Sequence, residues 1–292
     1  AEYRYAASRM VTPEQTLERI QPLLAACGIT RYADITGLDR LGVPVFCAIR
    51  PATWVQQVTN GKGMTSCAAL VSALMEGIEL HHVETTPVEM ISSKTFEDLR
   101  ESGATLAWPG TVAEPASHIR QMPIEWVCAE RLGEGCPILV PADRVFFDRM
   151  HGFTVPDTNG LASGNHIVEA TLHGLYELIE RDTFSRLMSG RTGTSLNSSP
   201  SQGRARVVEL RSLPSGPLSE LRDRIAQAKS QLSLHYLDSC VPVHTFWAVL
   251  ADASSNVTGS AFNMGWGTHS HPEVAAVRAI TEAAQTRATL IH

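Results

Sequence analysis

Glu169-Ala-Thr-Leu-His173-Gly-Leu-Tyr176-Glu177-Leu-Ile-Glu180-Arg181-Asp182 carries the period that decides how this chain folds. At about 100° per residue, Asn165, Glu169, His173, Tyr176, Glu177 and Glu180 cover roughly 120° of one helix. Ile167, Val168, Leu172, Leu175, Leu178 and Ile179 lie largely opposite. Taken alone, this is the amphipathicity of a surface helix. The unusual feature is that no lysine stands nearby to pair with Glu169 or Glu177. The spacing predicts a helix from Asn165 to about Met188, entered through the small-residue loop Asn159-Gly-Leu-Ala-Ser-Gly164.

Two further helices repeat the theme. Near Ser66 to His81, Ser72, Glu76 and Glu79 fall within roughly 60° of one another, amid Ala68, Ala69, Leu70, Val71, Ala73, Leu74, Met75 and Ile78. Two acids on so apolar a helix are awkward to explain by solubility, because a buried carboxylate needs a cation or hydrogen-bond donors. A thin exposed stripe is the other reading. The last helix, opened by Ser270, Pro272 and Glu273, sets Arg278, Thr281, Glu282 and Gln285 within roughly 100°. Six inward-facing glutamates (76, 79, 169, 177, 180 and 282) would repel one another unless something positive sat between them. Hard oxygen ligands suit Mg²⁺ rather than zinc. Mg²⁺ commonly arrives with phosphates, which Lys62, Arg181 and Arg278 could hold.

Around these helices the pattern alternates. Thr12-Pro13-Glu14-Gln15 has capping-box spacing with Pro in the first turn, opening a helix to about Cys27. Strands are predicted at Val43–Ile49, Glu125–Ala129, Ile138–Val140, 233–237, 243–251 and 259–264, and a helix at Leu218–Leu232. Asn60-Gly61-Lys62-Gly63 reads as a turn. Residues 84–123 are mixed, and 189–217, rich in Ser, Gly, Pro and Arg, read as a loop or insertion. Helices and strands interleave with no repeat, so the fold mixes α and β.

Composition narrows the class. Of 292 residues 18% are charged and 43% apolar, with 24 Lys+Arg against 30 Asp+Glu for a net charge of −6. Such a chain buries a real core, which argues against disorder. The acidic balance argues against a nucleic-acid footprint or a polybasic membrane patch. No apolar run approaches the ~18 residues of a membrane span, and the N-terminus lacks a signal-peptide pattern. Six scattered cysteines without a C-x-x-C predict reduced thiols in a cytoplasmic protein and no zinc site. Walker A and dinucleotide-binding glycine motifs are absent, and Ser163 stands one place too late for a nucleophile elbow. Any nucleotide site is therefore of an unusual type.

Together these stretches resemble the YcaO family, ATP-dependent enzymes that activate peptide-backbone amides. The resemblance spans nearly the whole chain. It rests on Asn60-Gly-Lys-Gly-Met-Thr65, Ser72-Ala-Leu-Met-Glu76-Gly-Ile-Glu79, the run from Thr158 through Asn165 to Asp182, and Thr281-Glu-Ala-Ala-Gln285-Thr-Arg287. It implies an α+β, three-layer fold, with helices carrying an ATP and Mg²⁺ site between β-sheets and a single domain over 1–292. Carried over residue by residue, the metal ligands are Glu76, Glu79, Glu169, Glu177 and Glu180. The ATP-binding set is Arg9, Thr16, Lys62, Ser72, Asn165, Glu177, Arg181, Gln285 and Arg287, with Glu76, Glu180 and Arg181 as the catalytic set. Gln285 and Arg287 follow a motif whose spacing varies in the family.

Asp34-Ile-Thr-Gly37-Leu38-Asp39-Arg40-Leu41-Gly42-Val43-Pro44-Val45, with Ala48-Ile49-Arg50-Pro51, resembles the subgroup that works with TfuA proteins. The implied product is then a backbone thioamide, made from a peptide or protein substrate with a sulfide source. An azoline-forming cyclodehydratase acting on Cys, Ser or Thr, and a nucleotide-binding partner without activity, are the alternatives. Family members normally continue to a C-terminal segment important for activity, and this sequence stops inside a helical pattern before it. A homodimer is a further implication.

Overall fold

The computed structural model describes residues 8–53, 55–84, 91–108, 114–149, 157–191, 205–213, 215–252 and 262–292. The chain forms two compact units, Ala1–Glu79 with Asn159–His292, and Leu80–Thr158. Among the described residues no helix is long and apolar enough to cross a membrane, and all six cysteines are unpaired.

The larger unit contains two antiparallel sheets. The first pairs β1 (Arg31–Asp34), β2 (Val45–Ile49) and β3 (Val58–Lys62) in that order. The second runs β10 (Phe262–His269), β9 (His244–Asp252), β8 (Ser230–Leu237), β7 (Ala205–Val207). Helix α7 (Pro272–Ile291) packs on both: Ala288 meets Val45 and Cys47 of β2, while Ala275, Ala279, Ile280 and Ala283 join Leu234, Ala248 and Leu250 in the main core. A helix serves two sheets only if it is thin. That explains the run of buried alanines on α7, and also Gly265 of β10, where a Cβ would stand 2.2 Å from the Ala283 nitrogen. The other face of β2 buries Ala48 against α2 (Ser66–Glu84), through Ala73, Leu74 and Ile78, with Ile20 of α1 (Pro13–Ile20). Helix α6 (Pro217–Gln227) contributes Leu221 and Ile225 to the main core.

Asn60-Gly61-Lys62 is strand, not turn: Lys62 pairs with Val45 and Gly61 with Phe46. Glycine is required here for close approach rather than for chain reversal. A Cβ at Gly61 would lie 2.0 Å from the Ala73 nitrogen and 2.3 Å from the Ala69 carbonyl oxygen of α2. Alternation then turns Lys62 to the opposite face, toward α7. Three boundaries also differ. Helix α6 ends at Gln227 and β8 begins at Ser230; α1 ends at Ile20 rather than near Cys27, the chain going on through a 3-10 turn, Gln21–Leu23; and the segment read as a loop, 189–217, contains β7, paired with β8. Residues 192–204 and 214 of that segment, and 259–261 of the strand read at 259–264, lie outside the described residues.

The smaller unit is a three-stranded antiparallel sheet of β4 (Ile91–Thr95), β5 (Pro123–Arg131) and β6 (Cys136–Pro141), in that order. Phe96 and Leu99 of α3 (Phe96–Glu101) close its core over Ile124 and Trp126. A short helix α4 (Ser117–Arg120) precedes β5.

Candidate active site

Helix α5 (Ile167–Arg191) is amphipathic in the reverse sense. Its apolar stripe faces outward, with Ile167 73%, Val168 65% and Leu178 45% exposed, while Glu180 and Tyr176 of the polar stripe are each 6% exposed. A solubilising face would do the opposite. The acids of α5 are turned into the protein, beside those of α2 and α7.

The resulting electrostatics are unbalanced. Burial pushes the Glu180 carboxyl up to about 7, helped by the charge of Glu282 and opposed by Arg278, Arg181 and Lys62. Burial likewise pushes Glu79 up to about 7, with Glu76 and Glu177 adding repulsion against hydrogen bonds from Ser163. Glu76 is raised by burial against Lys62, and Glu177 by burial against Arg181. Glu282 goes the other way. Burial raises it, but Lys62 Nζ at 2.9 Å, with Arg278 and the Trp266 N–H, outweighs that and holds it below the ordinary carboxylate range. Four carboxylates raised chiefly by burial describe a pocket that takes ionised acids out of water and so favours a cation beside them.

Glu169 is tied differently. Its Oε1 accepts from Arg9 Nη1 at 3.1 Å and from the Asn165 backbone at 3.2 Å, and its Oε2 from the Met10 backbone at 2.8 Å. Burial works against its charge, yet these donors win and its carboxyl lies below the usual range. Asn165 Oδ1 accepts from Thr16 Oγ1 at 3.1 Å, which joins α1 to the start of α5. The loop before α5 is held by the same acids: Gly160 N–H donates to Glu177 at 3.3 Å, and Ser163 bonds Glu79.

Most residues expected at a nucleotide site therefore come together: Arg9, Thr16, Lys62, Glu76, Glu79, Asn165, Glu169, Glu177 and Glu180. Ser72 sits one turn before Glu76 on α2, and Arg181 is exposed at 3.6 Å from Glu177. Among the described residues the buried Gln285 Oε1, on α7 one turn beyond Glu282, has no hydrogen-bond partner. Arg287 does not join the cluster. Its Nε lies 2.9 Å from Asp39 Oδ2 and its Nη1 2.8 Å from Asp252 Oδ2, so the guanidinium is engaged inside the fold. Two more side chains join the cluster: Arg278, already read as a cation for the phosphates, and His173, which stood outside the expected set. Arg278 Nη2 lies 3.0 Å from His173 Nε2, between the acids of α5 and α7. Both stood in polar stripes already legible in the sequence.

The donor set fits a magnesium–phosphate ligand. It offers hard carboxylate oxygens with raised proton affinity beside the cations Arg9, Lys62 and Arg278. Among the described residues no three His, Cys, Asp or Glu side chains converge tightly enough to cage an ion alone. Mg²⁺ needs no such cage, since it takes one or two carboxylates and completes its shell with water and phosphate oxygens.

Residues 60–292 match the family model described as YcaO cyclodehydratase, ATP- and Mg²⁺-binding. A protein of Methanothermobacter thermautotrophicus is 36% identical over 293 residues, covering 97% of this chain and 71% of its own length. A Rhizobium leguminosarum bv. trifolii protein, described by its position in the tfuA 3′ region, is 35% identical over 297 residues, covering 97% of this chain and 67% of its own length. Among solved structures, YcaO from Methanopyrus kandleri bound with AMPPCP and Mg²⁺ superposes with a TM-score of 0.76 at 28% identity, over 99% of this chain and 70% of that one.

Proposed function

The chain belongs to the YcaO family, and from that premise we propose that it activates a backbone amide of a peptide or protein with ATP and replaces the amide oxygen by sulfur. The family is ATP- and Mg²⁺-binding, and the fold is the one that holds AMPPCP and Mg²⁺ in the Methanopyrus relative. The observation that carries the reading is the cluster of Glu76, Glu79, Glu177 and Glu180, all raised by burial and set beside Lys62, Arg181 and Arg278.

In this reading Glu76, Glu79, Glu177 and Glu180 would share Mg²⁺ ions, one or two carboxylates to each, and the metal when bound would neutralise charge on the transferring phosphoryl group. Arg9, Lys62 and Arg278 supply donors to the phosphates. Glu169 positions Arg9 rather than spending itself on metal alone, and Asn165 and Thr16 fix the entrance to α5. Catalysis by these residues is positioning and electrostatics. The substrate amide carbon takes up sulfide; its oxyanion attacks the γ-phosphorus and releases ADP. The C–O bond then breaks, phosphate leaves with the former amide oxygen, and loss of the sulfur-bound proton closes the thioamide.

Sulfur is favoured by the resemblance of the Asp34–Val45 segment, with Ala48–Pro51, to the TfuA-associated subgroup, and by the relative described by its position in the tfuA 3′ region. A TfuA-like partner then delivers the sulfide, in the cytoplasm. A second reading, azoline formation by a Cys, Ser or Thr side chain of the substrate, is favoured by the family's description as a cyclodehydratase. Incubating the enzyme, ATP, a sulfide source, a TfuA-like protein and a precursor peptide decides between them by mass spectrometry. Exchange of one oxygen for sulfur supports thioamidation, and loss of one water supports the cyclodehydratase. ATP turnover that ignores peptide contradicts both.

A further inference from the structure

His173 stands inside the cluster, one turn after Glu169 and one before Glu177, and neither metal binding nor phosphoryl transfer as described above uses it. Its Nε2 is 3.0 Å from Arg278 Nη2, its Nδ1 is 3.5 Å from Arg9 Nη2, and the ring bonds the Ser163 backbone. A guanidinium has five donors and no acceptor. Toward Arg278, therefore, Nε2 can only be a lone pair. The proton of the neutral ring then sits on Nδ1, where the Ser163 carbonyl is the available acceptor; Arg9 at 3.5 Å is beyond a well-formed hydrogen bond. Protonating Nε2 would set one N–H against another between two cationic side chains. Burial, then the charges of Arg278, Arg9 and Lys62, push the imidazolium pKa down to about 2, in keeping with that geometry.

We propose that His173 is a positioning residue: a permanently neutral imidazole whose Nε2 lone pair fixes the Arg278 guanidinium, leaving its other N–H donors for nucleotide phosphates. Its Nδ1–H holds the Ser163 carbonyl of the 159–165 loop. Ser163 in turn bonds Glu79, so one ring couples the phosphate-side arginine to a metal-side carboxylate. This rests on the Mg-ATP reading of the site.

The test is equilibrium binding of a non-hydrolysable Mg-ATP analogue by calorimetry, with ¹⁵N NMR of the wild-type imidazole. His173→Phe keeps the volume and removes both hydrogen bonds, and is expected to weaken binding about tenfold, the loss of one charge-assisted hydrogen bond. His173→Gln, whose carbonyl oxygen reaches about where Nε2 stands, is expected to recover most of it. In an Arg278→Met background, His173→Phe should have little further effect, because the imidazole acts through that arginine. The NMR should report a neutral ring protonated on Nδ1 at pH 6. Wild-type affinity in His173→Phe, full additivity with Arg278→Met, or an imidazolium at pH 6 would each overturn the proposal. If His173→Phe fails to fold, His173→Gln and the NMR still decide. Failure of the wild type to bind any Mg-nucleotide would sink the Mg-ATP reading with it, whereas normal wild-type binding beside an unaffected His173→Phe sinks the His173 proposal alone.

Discussion

Lys62 Nζ on β3 and Glu282 Oε2 on α7 meet at 2.9 Å across 220 residues of chain. The pair exists because Gly61 faces α2, which by alternation turns Lys62 toward α7. Each side chain is about a quarter exposed, at 23% and 25%. Lys62 also lowers the cost of charge on Glu76 and Glu180. Lys62→Met should therefore destabilise the protein at pH 8 by about 1–2 kcal/mol, less than the ~3–5 kcal/mol for a fully buried pair because water still screens this one. Adding Glu282→Gln should recover most of the loss in urea melts. A double variant as unstable as the single one would remove Lys62 from its balancing role.

Glu180 exchanges stability for binding. At pH 8 it is ionised in both states, but folding raises its pKa from the ordinary 4.5 to about 7, so its charge works against the native state. Glu180→Gln should stabilise the nucleotide-free protein by on the order of 1–3 kcal/mol. It should also forfeit most of the stabilisation that Mg-ATP gives the wild type. Thermal melts with and without Mg-ATP read both effects. If the free variant melts no higher than the wild type, the carboxylate is not under the strain its surroundings imply.

The helices, their acids and the mixed architecture were legible because periodicity and residue type are local properties. The direction of the α5 stripe was not. Amphipathicity alone favours polar-outward, and only packing against β10 turns Glu180 in while leaving Ile167 and Val168 exposed. Gly61 was misread for the same reason. Asn-Gly-Lys-Gly is turn chemistry locally, and the contact that makes it strand is with Ala69 and Ala73 of α2. His173 depends on Arg278, 105 residues away, and no local pattern reports that pairing. Arg287 followed a motif of variable spacing, and Asp39 and Asp252 claim it.

Arg287 should accordingly behave as a structural residue. Its guanidinium is 8% exposed and bridges Asp39 and Asp252, the latter also held by Arg40 Nη2 at 2.7 Å and Ser230 Oγ at 2.8 Å. Arg287→Met leaves two buried carboxylates short of donors and should cost about 3–5 kcal/mol. Below its melting temperature the variant should bind Mg-ATP within about twofold of wild type, a difference well under 1 kcal/mol. A selective loss of affinity with normal stability would return Arg287 to the nucleotide site.

Proton release should accompany nucleotide binding. Glu79 and Glu180, each at about 7, hold protons in the free protein at pH 6, and metal must displace them. Mg-ATP affinity should fall as pH drops below 7, with release approaching two protons per event near pH 6 and vanishing above about pH 8, because two such carboxyls titrate with this pKa. Calorimetry in buffers of different ionisation enthalpy measures this directly. The free protein's stability has a related sign. Between 4.5, the unfolded value, and about 7, the folded state binds more protons at both carboxyls, so their contribution is lost as pH rises. His173, at about 2, and His269, at about 4, are depressed from 6.5, so their contribution is lost as pH falls below 6.5. The two effects oppose each other between 4.5 and 6.5. Above 6.5 only the carboxyls act, so the melting temperature of the free protein should decline from pH 6.5 to 8, and saturating Mg-ATP should flatten that decline. A pH-independent affinity with no proton release would show that Glu79 and Glu180 are not where the metal binds.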